Sequence, residues 1–237
     1  MSTRQGGFSA APWNELNLGD HVGDDPEAVT ANRALFKARI GATPVYLRQV
    51  HGTRVVRIAA SDARPGAVTH EADASLTTEP GIACTVLVAD CLPVLMAAPG
   101  GRAVAAAHAG WRGLASGVLE AAVAEICETA SCDPAQLCAW LGACIGAQCF
   151  EVGADVLQAF GESPDRPDAQ RFQPVSSMTD TPKWLANLPL LARDRLASLG
   201  VAQVSGEDLC TVENRSRFFS YRRDGVTGRM AAAVWIR

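Results

Sequence analysis

The sequence predicts an α+β fold in which mixed β-sheets are flanked by helices. Three observations carry this. Short, continuous apolar runs such as residues 84–88 read as strands covered on both faces. Longer stretches with apolar residues at every third or fourth position read as helices. The two kinds of element mingle without the strict strand–helix–strand rhythm of a doubly wound sheet.

Taken in order, the stretch up to about Gly23 is rich in glycine and asparagine and reads as loop. A helix follows, with Asp25 as cap, Pro26 at the first helical position, an apolar stripe of Val29, Leu35, Phe36 and Ile40, and Gly41 as terminator. Strands are expected at 45–47 and 55–58, either side of a His51-Gly52 turn, with a loop at 61–66. Further strands fall at 84–88, 94–96 and 103–107. Leu114, Val118, Ala122 and Ile126 recur every four residues and predict one helix over 112–129. A strand at 137–141 precedes a short helix at 151–160. Residues 161–182 carry four prolines and many polar groups, which predicts a mobile surface loop. A helix over 188–199, closed by Gly200, and strands at 201–204 and 232–236 complete the set.

Composition narrows the function. Hydrophobic residues make up 48% and charged residues 19%, enough for a sizeable core. The net charge is −4 and no basic block occurs, which argues against a nucleic-acid surface built on phosphate contacts. No run approaches the roughly 18 apolar residues that span a bilayer, and the N-terminus lacks the apolar stretch of a signal peptide. The expected location is the cytoplasm, where eight cysteines read as reduced thiols. Cys84, Cys127, Cys138 and Cys210 lie in apolar runs and read as small core residues. Cys127, Cys132, Cys138, Cys144 and Cys149 form no C-x-x-C pair, so no cluster site is expected among them.

Three residues stand out as metal ligands: His51 in Arg48-Gln49-Val50-His51-Gly52, Cys91 in Ala89-Asp90-Cys91-Leu92-Pro93, and His108 in His108-Ala109-Gly110-Trp111-Arg112-Gly113. Each sits where an apolar run ends, and the chain has only four histidines. Zinc held by three protein groups leaves a fourth position for water or substrate, the catalytic rather than the structural arrangement. The same atoms serve a metal-free reading, with Cys91 as nucleophile, His108 or His51 as its base and Asp90 as orienter. Asp73 and Asp90 are candidate second partners of a ligating histidine, or proton carriers. His21 and His70 read as surface histidines.

Arg48, Arg112, Arg222 and Arg223, with Arg229 just beyond, offer guanidinium forks for a small anion such as phosphate. Phe218, Phe219 and Tyr221 could stack a base or belong to the core.

The chain resembles the YfiH-like multicopper polyphenol oxidase (laccase) domain family, also called the purine nucleoside phosphorylase family. Besides the three motifs above, the matching stretches are Asn17-Leu18-Gly19, Gly23-Asp24-Asp25-Pro26, Asn32-Arg33, Glu71-Ala72-Asp73-Ala74, Ile145-Gly146, Phe150-Glu151-Val152, Phe219-Ser220-Tyr221-Arg222-Arg223-Asp224-Gly225 and Gly228-Arg229-Met230. The resemblance implies one domain over residues 1–237, with a fold likened to that of cysteine-hydrolase toxins. It implies zinc on His51, Cys91 and His108, and small-molecule substrates, namely purine nucleosides and phosphate. The implied activities are phosphorolysis of adenosine, inosine and methylthioadenosine, and hydrolytic deamination of adenosine. Two alternatives come with it: an amidase that removes L-serine from a UDP-muramyl peptidoglycan precursor, and a copper polyphenol oxidase. Four histidines are too few for a multicopper cluster, so zinc is favoured over copper. Gly142-Ala143-Cys144 departs from the glycine-proline usual in the family. Oligomeric state is not legible.

Overall fold

A computed structural model describes residues 1–64, 66–175, 181–206 and 209–237. Twelve strands and six α-helices alternate irregularly among them. The predicted first helix is α1, Pro26–Ile40: the Asp25 side chain accepts from the Glu27 N–H, and Gly41 closes it in the left-handed region at φ 68°. Its stripe buries Val29 and Phe36 fully, whereas Leu35 and Ile40 are only half-buried.

The largest sheet has six strands, in the order β11 (Gln203–Ser205), β7 (Cys138–Leu141), β5 (Leu92–Ala97), β6 (Val104–Ala109), β3 (Ala74–Thr77) and β2 (Val55–Arg57). Its centre is antiparallel, β7-β5-β6-β3, and each outer pair is parallel. A three-stranded sheet packs against one face: β1 (Thr43–Val45), β4 (Ile82–Val88) and β12 (Met230–Trp235). The apolar cluster between the two sheets includes Val45, Ile58, Cys84, Val86 and Ala106. Every residue of β4 is buried, as its unbroken apolar run predicts. The other face of the large sheet carries α3 (Val118–Ala130) and α5 (Leu188–Ser198), over a core of Leu76, Val94, Leu119, Ile126, Leu191 and Leu196. A third small sheet, β8 (Glu151–Val152), β10 (Lys183–Ala186) and β9 (Phe172–Val175), extends this side.

The fold class is therefore the α+β one expected, with several local corrections. The helix expected over 112–129 is two helices, α2 (Trp111–Ser116) and α3, because Gly117 adopts φ 104° and breaks the path between them. The helix expected at 151–160 begins as strand β8 and becomes α4 only over Ala154–Ala159. The stretch 161–182 is not loop throughout: β9 lies inside it and pairs with β10, with Phe172 fully buried. Residues 176–180 of that stretch lie outside the described residues. β3, β10 and the one-turn helix α6 (Tyr221–Asp224) had no expectation. No described helix is long and apolar enough to cross a membrane.

Candidate metal centre

The registers of the large sheet gather the site. Leu92, which opens β5, pairs with Ala109 at the end of β6, and Pro93 pairs with His108. Ala74, which opens β3, pairs with Ala107. Cys91 therefore precedes β5, Asp73 precedes β3 and His108 sits in the last turn of pleat of β6, all at one end of three adjacent strands. Val55 of β2 pairs with Ala74, which brings the turn at His51 to the same end. His108 lies inside its strand rather than just after it, as the sequence suggested.

One atom from each of His51, Cys91 and His108 lies within 4.8 Å of the others. Cys91 Sγ is 3.6 Å from His51 Nε2. The two imidazoles meet edge to face, with centroids 4.7 Å apart. Gly110 leaves the space they occupy, because a Cβ there would fall 2.7 Å from His51 Cδ2 and 3.0 Å from Cys91 Sγ.

Asp73 organises this corner. It is fully buried, and its carboxylate accepts from the N–H groups of Val50, His51 and Gly52 at 3.1, 2.9 and 2.7 Å. It also accepts from His108 Nδ1 at 2.9 Å. The first three bonds hold His51 in the left-handed region, at φ 61°. The fourth commits the His108 Nδ1 proton to Asp73 and turns Nε2 toward the site. Burial works to raise the Asp73 pKa, but the His108 and backbone bonds outweigh it and hold it below the ordinary carboxylate value.

Electrostatics favour a thiolate. Burial pushes the Cys91 thiol up, yet the charge and hydrogen bonds of His108, with smaller effects from His51, bring it down to about 6. Burial likewise lowers His108, and the Cys91 thiolate with Asp73 overcomes this to raise it to about 9. Without a metal, the corner is thus a thiolate–imidazolium pair backed by a carboxylate. Two imidazole nitrogens and a thiolate, with the second nitrogen of one ring anchored on a carboxylate, are a donor set that suits zinc.

The remaining predicted residues fall around this corner in different ways. Asp90 is held at φ 102°; its carboxylate accepts from Thr211 Oγ1 at 2.6 Å and from the Arg222 N–H at 2.7 Å, and its carbonyl accepts from Ile145 N–H at 2.8 Å. It therefore binds three segments together next to Cys91. Arg48 pairs with Glu71 at 3.0 Å on the surface. Arg112 lies over the Trp111 ring. Arg222 reaches the Glu151 carbonyl at 3.0 Å and is otherwise exposed, and Tyr221 is 61% exposed. Arg223 departs from the substrate-facing expectation: its guanidinium donates to the carbonyls of Thr211, Val212 and Phe218 and to Asp224, which leaves it holding backbone. Phe218 and Phe219 are core. His21 and His70 stand apart from the site, beside Asp20 and Asp62. Arg229, which the sequence placed just beyond the other candidate arginines, is partly buried, and Cys91 and Asp90 are among its electrostatic neighbours. Thr211, which ties down Asp90, left no signal in the sequence.

The fold and this corner define a protein of mixed sheets with a His-Cys-His group able to hold a metal ion at one sheet end. Comparison with known proteins is consistent along the whole chain. The chain belongs to the family described as multi-copper polyphenol oxidoreductase laccase, whose sequence model matches residues 1–237. It is 46% identical over 240 residues to the purine nucleoside phosphorylase YfiH of Escherichia coli (strain K12), covering 99% of this chain and 92% of that protein. It is 44% identical over 236 residues to the purine nucleoside phosphorylase of Haemophilus influenzae, covering 99% and 92%. Among solved structures, Neisseria meningitidis protein NMB0706 superposes with a TM-score of 0.87 at 47% identity, over 99% of this chain and 91% of that one. The Bacillus licheniformis protein YfiH gives 0.88 at 30% identity, over 99% and 91%.

Proposed function

We propose that this chain is a zinc-dependent enzyme of purine nucleosides, acting as one domain over residues 1–237 in the cytoplasm. Its reactions are phosphorolysis of adenosine, inosine and methylthioadenosine, and hydrolytic deamination of adenosine. The observation that carries this reading is the convergence of His51, Cys91 and His108 within 4.8 Å of one another on the Asp73 anchor. Relatives 44–46% identical that bear the name purine nucleoside phosphorylase supply the substrate class. Zinc is preferred to copper because the other two histidines of the chain stand beside Asp20 and Asp62, so no multicopper ligand set is at hand.

In this reading His51, Cys91 and His108 hold the ion, which supplies Lewis acidity toward an oxygen of water or substrate. Asp73 keeps the His108 Nδ1 proton, so that ring presents a neutral donor. Asp90 holds the start of α6 beside Cys91 through the Arg222 N–H. Arg222 and Arg112 are the exposed cations that would meet phosphate, with Arg229, which also holds the Thr227 and Gly228 carbonyls, and Arg48, which also pairs with Glu71, and Tyr221 is the exposed ring that would meet a base. In phosphorolysis a phosphate oxygen bonds to the ribose C1′ as the bond to the purine nitrogen breaks, and that nitrogen takes up a proton. In deamination water adds to the purine C6, and ammonia leaves.

The test incubates zinc-loaded protein with adenosine, with and without phosphate, and separately with a UDP-muramyl-serine compound. Phosphate-dependent adenine release and phosphate-independent inosine formation are expected, both lost on chelation. Serine release with no nucleoside turnover would replace this reading with the amidase one.

A further inference from the structure

A second group of soft donors lies across the loop that follows β7. Atoms of Cys149, Cys210 and Glu213 lie within 4.8 Å of one another, and none of the three belongs to the His-Cys-His corner. The two cysteines are far apart in sequence, and two short turns bring them together. In the first, the Cys149 N–H donates to the Gly146 carbonyl at 3.0 Å. In the second, both the N–H and the side-chain amide of Asn214 donate to the Cys210 carbonyl, which folds Glu213 back over Cys210. Backbone hydrogen bonds, Cys144 N–H to the Leu209 carbonyl and Thr211 N–H to the Cys144 carbonyl, pair Cys144 with Cys210 as an isolated parallel β-bridge.

Three further observations point to a bound cation. The Gly146 N–H donates to Cys210 Sγ at 3.2 Å, which fixes that sulfur beside Cys149 and Glu213. Gly146 itself is required by that approach, since a Cβ would fall 2.9 Å from Cys210 Cβ and 3.1 Å from its sulfur. Among the described residues no lysine, arginine or histidine forms an ion pair with Glu213, so three potential anions converge without a positive partner. A cavity of about 200 Å³, lined by Cys210, Glu213, Gly146 and Asn187 among others, opens beside them, with room for a further oxygen ligand.

We propose that Cys149, Cys210 and Glu213 form a second metal site, one that takes a thiophilic divalent cation of the zinc class. Two thiolates and a carboxylate match the ligand preferences of that ion. The site braces the segment that carries Thr211, the next residue along, whose hydroxyl holds Asp90.

Cobalt(II) titration of the metal-free, reduced full-length protein tests this, because each thiolate ligand adds a sulfur-to-cobalt charge-transfer band. Two equivalents are expected in the unchanged protein. In Cys149→Ser and in Glu213→Gln, affinity for one equivalent should fall by roughly tenfold or more, with loss of part of the band only in Cys149→Ser. In the His51→Ala/His108→Ala protein, one equivalent should remain with a band that Cys149→Ser reduces to that of a single thiolate. Cobalt uptake and bands indifferent to both Cys149→Ser and Glu213→Gln would overturn the proposal, whereas a single equivalent that Cys149→Ser weakens would sink the His-Cys-His reading instead. The comparison of the unchanged protein with Cys149→Ser and Glu213→Gln stands even if the double histidine variant does not fold.

Discussion

Cys84 and Cys91 lie seven residues apart on one stretch of chain, and the fold gives them opposite chemistry. Cys84 sits in β4 between two sheets, with no accessible surface and the Val104 carbonyl as a distant acceptor at 3.7 Å. Burial there pushes its thiol up to about 12. Cys91 sits where the same chain turns out of β4 toward β5, and burial acts on it in the same direction. The difference is the pair of imidazoles. His108, locked by Asp73, and His51 reverse the effect and bring Cys91 to about 6. Desolvation alone makes an inert core thiol, whereas desolvation beside a held cation makes a thiolate.

The sharpest way to probe this contrast is alkylation of the metal-free protein, read residue by residue by mass spectrometry. At pH 7 Cys91 favours the thiolate, while burial keeps Cys84 a thiol. Labelling of Cys91 should fall off below about pH 6, with Cys84 unlabelled throughout. An onset of Cys91 labelling only above pH 8 would remove the contrast. Stability should show no matching slope. Cys91, held below its ordinary value, adds stability as pH rises through the interval, and His108, held above its own, loses it over the same interval, so the two slopes oppose each other.

His108→Ala should break the contrast outright. Cys91 loses its principal cation, and under the proposed zinc reading an ion would lose a ligand and nucleoside turnover would drop roughly a hundredfold or more. Chelation of the unchanged protein should reproduce the loss of turnover. A His108→Ala protein that retains both metal and rate would show that the corner is not the site of chemistry. Asp73→Asn keeps the shape but no longer offers two acceptor oxygens, so metal affinity should fall about 10–100-fold as judged by competition with a chelator. Gly110→Ala pushes a methyl into His51 and Cys91 and is expected to weaken metal binding less, by roughly tenfold. Cys84→Ala should leave metal content and turnover unchanged and cost roughly 1 kcal/mol in chemical denaturation.

The same contrast shows what the sequence could and could not reveal. The apolar run through Cys84 announces a doubly covered strand, and the runs ending near Cys91 and His108 announce strand ends, because burial and period are local properties. The α+β class follows from such runs. What stays hidden is set by partners distant in the chain. Nothing near Glu71-Ala72-Asp73 shows that this carboxylate will meet three N–H groups and an imidazole 35 residues away. Arg223 reads as a substrate cation from its neighbours, and only the fold turns it onto the carbonyls of Thr211, Val212 and Phe218. Cys149 and Cys210 read as unrelated for the same reason. Gly117 was visible but ambiguous, since a glycine inside a helical period is compatible with a continuous helix until its φ is known.

Asp73 has one more consequence. His51 comes from a turn and His108 from strand β6, yet both hang from a single carboxyl group, one by the amide of its own backbone and the other by its ring. A displacement of that peg carries the two rings in the same direction instead of spreading them. The spacing between them is thereby tied to one carboxylate rather than to the separate turn and strand that deliver them.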